Sequence, residues 1–294
     1  MIKIGTYIVK NADLTPEECL IYTKEAGFER VCVGITRLLN NTVTPEIANK
    51  YGLELENVHL SGKGTNDIWV EGINGDAVTD RYCDEIRRCS ELGVKTGIAH
   101  VTWGVPTPPP VSELGLSRYL RIAECAEKHD FNLALENSVS ADHLRFLLDR
   151  IDSTHVGYCF DSGHNNCFTP QEKLLREYGH RLFAMHLQDN DGWRDLHMIP
   201  MDGCAPWAEI IEDLRKTALY DSSITFEVAG KISKKCPGQT EHEIAKDLER
   251  IKILNDKSLV KIQDGQFDIY SDLTYAEYLN RLFNAGKKII NNFI

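Results

Sequence analysis

Short apolar runs alternate with amphipathic stretches from one end of the chain to the other. Eight runs read as strands: residues 2–8, 30–35, 55–60, 94–101, 132–136, 155–160, 182–187 and 222–228. They are rich in Val, Ile and Phe and bounded by Gly, Asn, Asp or Pro, the punctuation expected around buried strands. The segments between them read as helices. Residues 16–26 follow Thr15, a side chain suited to an N-cap, and place Pro16 at the first helical position, where its missing N–H costs nothing. Residues 76–92 end at Gly93, a C-cap glycine. Further helices are expected over 45–51, 116–129, 141–150, 170–178, 207–217 and 241–254.

Eight strand–helix units at a spacing of roughly 30 residues predict an α/β fold, a (β/α)8 barrel. The competing doubly wound open sheet usually places a glycine-rich phosphate loop after its first strand, and Tyr7-Ile-Val-Lys-Asn-Ala supplies none. Residues 1–255 therefore read as one catalytic barrel. Residues 256–294 lie beyond the eighth unit and look helical over 274–283. This extension is expected to pack on the barrel's flank or across a neighbouring subunit of a homo-oligomer.

Composition narrows the setting. The 294 residues carry 33 Lys+Arg against 44 Asp+Glu, a formal charge of −11, which argues against broad binding to nucleic acid. No apolar run approaches the ~20 residues of a membrane span, and the opening Met1-Ile-Lys-Ile-Gly-Thr-Tyr reads as a strand rather than a signal segment. Nine cysteines without a CxxC pair suit reduced thiols in a cytoplasmic protein.

The histidines and carboxylates carry the chemistry. His59, His100, His164, His186 and His197 fall at or just past the C-terminal ends of expected strands, as do Glu136, Asp161, Asp195 and Glu227. In a (β/α)8 barrel those ends converge on one mouth, where catalytic groups collect. His129, His143, His155, His180 and His242 fall on helices or at strand starts and read as structural. Glu136, Asp161, His186 and Glu227 each follow an apolar run on strands five to eight. Gathering such carboxylates near a core is very costly unless a cation neutralises them. Two Glu, one Asp and one His form a mixed O/N set suited to Mn²⁺, Mg²⁺, Co²⁺ or Zn²⁺.

Leu135-Glu136-Asn137, Asp161-Ser-Gly-His164, His186-Leu-Gln-Asp189-Asn190-Asp191-Gly192 with Asp195-Leu-His197, and Phe226-Glu227 resemble the xylose-isomerase-like TIM-barrel superfamily. That group includes sugar and sugar-phosphate isomerases and epimerases, inosose dehydratase-like lyases and the endonuclease IV family. The resemblance covers about the first 255 residues. It implies metal ligation by Glu136, Asp161, His186 and Glu227, with His164 on substrate oxygens. The endonuclease IV match adds His59, His100, His164, Asp195 and His197 as further ligands of a trinuclear zinc set.

An isomerase or epimerase must remove a proton from carbon next to a carbonyl. A divalent ion bridging substrate oxygens would stabilise the enediolate, with Glu136 and Glu227 as general base and acid. Trp69, Trp103 and Trp193 on the mouth loops could stack on sugar C–H faces. Arg194, with Arg37, Lys63 and Lys231, could bind a phosphate or carboxylate. A nuclease needs Arg-rich mouth loops. Here they read Thr36-Arg-Leu-Leu-Asn-Asn, Ser61-Gly-Lys-Gly-Thr-Asn-Asp and Thr102-Trp-Gly-Val-Pro-Thr-Pro-Pro-Pro, lightly charged throughout. The expectation is a small sugar or polyol substrate and a metal-dependent isomerase or epimerase, with the dehydratase-like lyase, the abasic-site phosphodiesterase and a non-catalytic sugar-binding barrel as alternatives.

Overall fold

In the computed structural model, residues 2–9, 14–103, 108–220, 222–228, 260–263, 266–270 and 273–291 are described. Eight strands run parallel: β1 Lys3–Tyr7, β2 Arg30–Gly34, β3 Glu54–His59, β4 Thr96–His100, β5 Asn132–Glu136, β6 Val156–Asp161, β7 Leu182–His186 and β8 Ser223–Phe226. Each pairs with its sequence neighbour from β1 to β7, and β8 returns to pair with β1. The ring closes between β7 and β8, where Leu187 N–H donates to Thr225 O (2.9 Å) and Glu227 N–H to Leu187 O (3.2 Å). This is the TIM barrel expected from the alternating units.

The strands are buried along most of their length because each faces the barrel interior on one side and a helix layer on the other. β6 has no exposed position at all. The helices are α1 Pro16–Glu25, α2 Ile35–Leu39, α3 Pro45–Lys50, α4 Ile73–Glu91, α5 Glu113–Lys128, α6 Ala141–Leu148, α7 Ser162–Phe168, α8 Leu174–Tyr178, α9 Trp207–Leu214 and α10 Tyr275–Asn291. Thr15 caps α1 as expected: its hydroxyl accepts the Glu18 N–H (3.2 Å), while the Glu18 carboxylate accepts the Thr15 N–H (2.8 Å).

The sequence pattern passes over several short elements. α2 and α7 start directly at the ends of β2 and β6, within stretches too short for helical periodicity to show. A 3₁₀ turn, Thr65–Trp69, orders part of the expected loop after β3. The expected helix over 241–254 lies outside the described residues. Within the C-terminal extension, β9 Val260–Gln263 and β10 Gln266–Ile269 form an antiparallel hairpin. α10 docks on the barrel wall of its own chain, with Phe283 edge-on to Phe28 (5.2 Å between ring centroids). Gly286 allows close approach there, since a methyl group at that position would lie 3.0–3.2 Å from Phe226 and Ile4. No helix among the described residues is long and apolar enough to cross a membrane.

Candidate metal centre

The C-terminal ends of β5, β6 and β7 deliver Glu136, Asp161 and His186, all without solvent exposure. Glu227 follows β8 by one residue and is mostly buried. One donor atom from each of these four residues lies within 4.8 Å of the other three. His186 Nδ1 sits between the glutamates, 2.7 Å from Glu136 Oε1 and 3.0 Å from Glu227 Oε2. Asp161 Oδ2 is buried without a hydrogen-bond partner. Carboxylate oxygens in that condition are unfavourable unless a positive charge faces them. The oxygen-rich donor set with a single imidazole therefore fits a divalent cation, held by Glu136, Asp161, His186 and Glu227.

The electrostatics follow from this crowding. Burial alone would raise the pKa of Glu136, but the adjacent His186 and His100 imidazoles hold it well below the usual carboxylate range. Burial also opposes ionisation of Glu227, yet His186 draws it down to about 2. Asp161 has weaker compensation, and burial pushes it up to about 7 despite His164 nearby. Burial disfavours a charged His186, but Glu227 and Glu136 keep its pKa well above that of a free imidazole. A bound cation would take over the neutralising role that the imidazolium plays here.

His59 and His100 approach Glu136 from the other side. Their Nε2 atoms lie 3.3 and 2.8 Å from Glu136 Oε2 and 3.1 Å from each other. His164 sits in the first turn of α7, where Asp161 caps the helix by accepting the His164 N–H (2.7 Å). The His164 ring contacts Asn137 O through Nδ1 (2.9 Å) and Asp195 Oδ2 through Nε2 (3.2 Å). His197 Nε2 meets the same Asp195 oxygen at 2.9 Å. The structure thus brings together all nine histidines and carboxylates singled out at the strand ends.

Two buried residues in the loop after β7 organise this arrangement without having been singled out as site residues in the sequence. Gln188 donates to Asp161 Oδ1 (3.3 Å) and Asp195 Oδ1 (2.5 Å) and accepts the His197 N–H (3.1 Å). It fits only because residue 163 is glycine, since a Cβ there would collide with the Gln188 carboxamide. The Asp189 carboxylate accepts N–H groups from Asn190, Met201, Gly203 and Ala205 and from the Trp207 indole, at 2.7–3.1 Å. It folds residues 189–207 around itself. The available signal was their place just past His186 and Leu187, where a polar pair follows the apolar strand.

The expected substrate-binding residues divide. Trp103 is 50% exposed beside His100, with ring centroids 4.8 Å apart, and Asn66 fixes its backbone N–H and C=O at 2.9 and 2.7 Å. Trp193 is 45% exposed. Trp69 is a correction: its ring is buried against Tyr119 and His143, and its indole N–H donates to Val101 O (2.8 Å). The 3₁₀ turn tucks this side chain under the loop, so it packs the scaffold and offers no stacking face. Arg194 is a second correction, being buried with its guanidinium against Asp191 (3.0 Å), so that its charge is balanced inside the loop. Arg37 donates to Val9 O (3.3 Å), Lys63 is exposed, and Lys231 lies outside the described residues.

Comparison with known proteins gives a consistent picture. The profile of the family described as xylose isomerase-like TIM barrel matches residues 41–254. The protein MJ1311 of Methanocaldococcus jannaschii is 30% identical over 219 residues, which are 68% of this chain and 74% of MJ1311. The protein y4fM of Sinorhizobium fredii is 32% identical over 139 residues, so the match spans only 44% of each chain. Among solved structures, D-psicose 3-epimerase from Clostridium cellulolyticum H10 with D-tagatose superposes with a TM-score of 0.64 at 17% identity, covering 87% of this chain and 98% of that one. At that identity the likeness shows a shared fold.

Proposed function

Because the chain belongs to the xylose isomerase-like TIM-barrel family, we propose that it is a divalent-metal-dependent isomerase or epimerase of a sugar or sugar phosphate. The observation that carries this reading is the buried Glu136–Asp161–His186–Glu227 cluster with its unpartnered Asp161 Oδ2. A divalent cation bound there supplies Lewis-acid polarisation of a carbonyl next to the carbon that loses its proton.

The chain's own residues do the rest. Glu136 and Glu227 bring two carboxylates to the centre from β5 and β8, the pair needed as general base and acid. In an isomerase one of them carries the proton between neighbouring carbons. In an epimerase the two work on opposite faces of the same carbon. His164 is anchored by Asn137 O through Nδ1, and its Nε2 would meet a substrate hydroxyl by exchanging its contact with Asp195. Trp103 offers a stacking face at the mouth, beside His100. The superposition on D-psicose 3-epimerase supports a ketose-sized substrate.

The test is a panel of ketoses, aldoses and their phosphates in deuterated water with the Mn²⁺-loaded protein. Solvent deuterium should enter the carbon next to the carbonyl of at least one member, and EDTA should stop it. Absence of incorporation across the panel overturns the reading.

A second reading has a specific observation behind it. His59 and His100 at Glu136, and His164 with His197 at Asp195, give two further groups flanking the four-residue cluster. Three zinc ions and incision of abasic-site duplex would favour a phosphodiesterase. The lightly charged mouth segments 36–41 and 61–67 favour the sugar.

A further inference from the structure

The C-terminal segment reaches the site at two points. The buried Tyr278 of α10 donates its hydroxyl to Val228 O (2.9 Å), one residue beyond Glu227. Tyr270, also buried, accepts the Ile199 N–H (2.8 Å) and donates to Asp202 Oδ2 (2.8 Å). Arg281 of α10 donates to both Asp202 oxygens (2.8 Å) and lies over the Tyr270 ring, 5.3 Å from its centroid. Ile199 is two residues from His197, whose ring nitrogen Nδ1 contacts Glu227 O (2.9 Å).

The loop held this way does not rest in an intrinsically favoured conformation. His197 and Met201 are non-glycine residues in the left-handed region, with φ of 46° and 74°. Such residues persist where surrounding contacts over-determine them. Asp189 supplies those contacts from inside the loop, and Tyr270 and Arg281 supply them from outside through Ile199 and the loop's own Asp202.

We infer that Tyr270, Tyr278 and Arg281 are positioning residues, through which the C-terminal segment keeps Glu227 and the Asp195–His197 pair in register with the rest of the centre. The inference rests on the metal-dependent reading of that site. Partners that orient ligands without touching the metal commonly govern metal affinity.

The test compares Tyr270→Phe, Tyr278→Phe and Arg281→Gln with Phe283→Leu in the full-length protein. Phe283 lies on the same α10 but packs on Phe28, so its loss reports helix docking alone. Mn²⁺ affinity is read from the EPR signal of the free ion, and backbone hydrogen exchange is followed at residues 195–203. Tyr278→Phe is expected to weaken Mn²⁺ binding by about tenfold, the lower end of what such partners contribute. Tyr270→Phe and Arg281→Gln should speed exchange at 195–203, while Phe283→Leu changes neither quantity at a comparable loss of melting temperature. If the three variants move affinity and exchange no more than Phe283→Leu does, the inference falls. Failure of the unsubstituted protein to bind Mn²⁺ would instead overturn the metal reading, and the exchange comparison would still decide whether the segment positions the loop.

Discussion

His186 Nδ1 lies 2.7 Å from Glu136 Oε1 at a point where neither side chain reaches solvent. The two residues are 50 positions apart and belong to strands that are not neighbours in the sheet. Their contact across the barrel mouth defines the floor of the candidate metal centre.

Glu136→Gln keeps the shape of that floor and removes the proton acceptor. Exchange of the substrate α-proton with solvent should drop by at least ~10²-fold, the scale of a lost general base. Mn²⁺ should still bind at saturating concentration through Asp161, His186 and Glu227. NMR of substrate in deuterated water checks the rate, and an unchanged rate removes Glu136 from the chemistry.

Metal removal should lower stability. A ligand present at ~100 times its Kd stabilises the native state by about 2.7 kcal/mol. In a chain of this size that corresponds to a melting temperature several degrees higher, given roughly 2–4 °C per kcal/mol. Thermal unfolding with Mn²⁺ against EDTA reads the difference, and coincident curves would show that the cluster holds no cation.

The two tryptophans flanking the β3 and β4 loops should behave oppositely. Trp69→Ala empties a packed site and should cost about 3–5 kcal/mol of stability. Trp103→Ala should leave denaturant unfolding nearly unchanged but raise KM about tenfold through loss of a stacking face. Equal stability losses in both variants would contradict this division.

Asp189→Ala leaves several buried N–H donors without an acceptor. Hydrogen bonds to a charged group contribute about 1.5–3 kcal/mol, and unpaired buried donors add to the loss. A decrease of roughly 3–5 kcal/mol is expected in urea unfolding. A change within ~0.5 kcal/mol would show that the loop holds its shape without this carboxylate.

His143 provides a pH dependence removed from the metal centre. Its ring bridges Ser140 Oγ and Pro109 O at 2.8 Å, and burial lowers its pKa below the ordinary 6.5. The folded state thus binds this proton less readily than the unfolded chain does. The stability associated with neutral His143 is complete above pH 6.5 and is lost as pH falls toward the lowered folded value. His143→Gln should flatten that part of the stability-versus-pH curve. An unaltered slope would mean that another group carries it.

The sequence by itself determined the barrel and the identity of the residues at its mouth. Alternation of apolar runs with amphipathic segments marks where each strand ends, and in a (β/α)8 barrel every strand end faces the same side. Glu136, Asp161, His186 and Glu227 were legible for that reason, as were the histidines at 59, 100, 164 and 197. Only the tertiary structure decided which donor atoms meet, because pairs such as His186 and Glu227 are joined by barrel closure and not by local spacing. It also separated Trp69 from Trp103, since burial depends on how a loop folds over its neighbours. Gln188 and Asp189 stayed hidden because their role is hydrogen bonding to backbone and side chains brought up by the loop's own turn. The C-terminal tyrosines reach the site only because α10 lies against the barrel wall, a docking that apolar contacts far from the mouth impose.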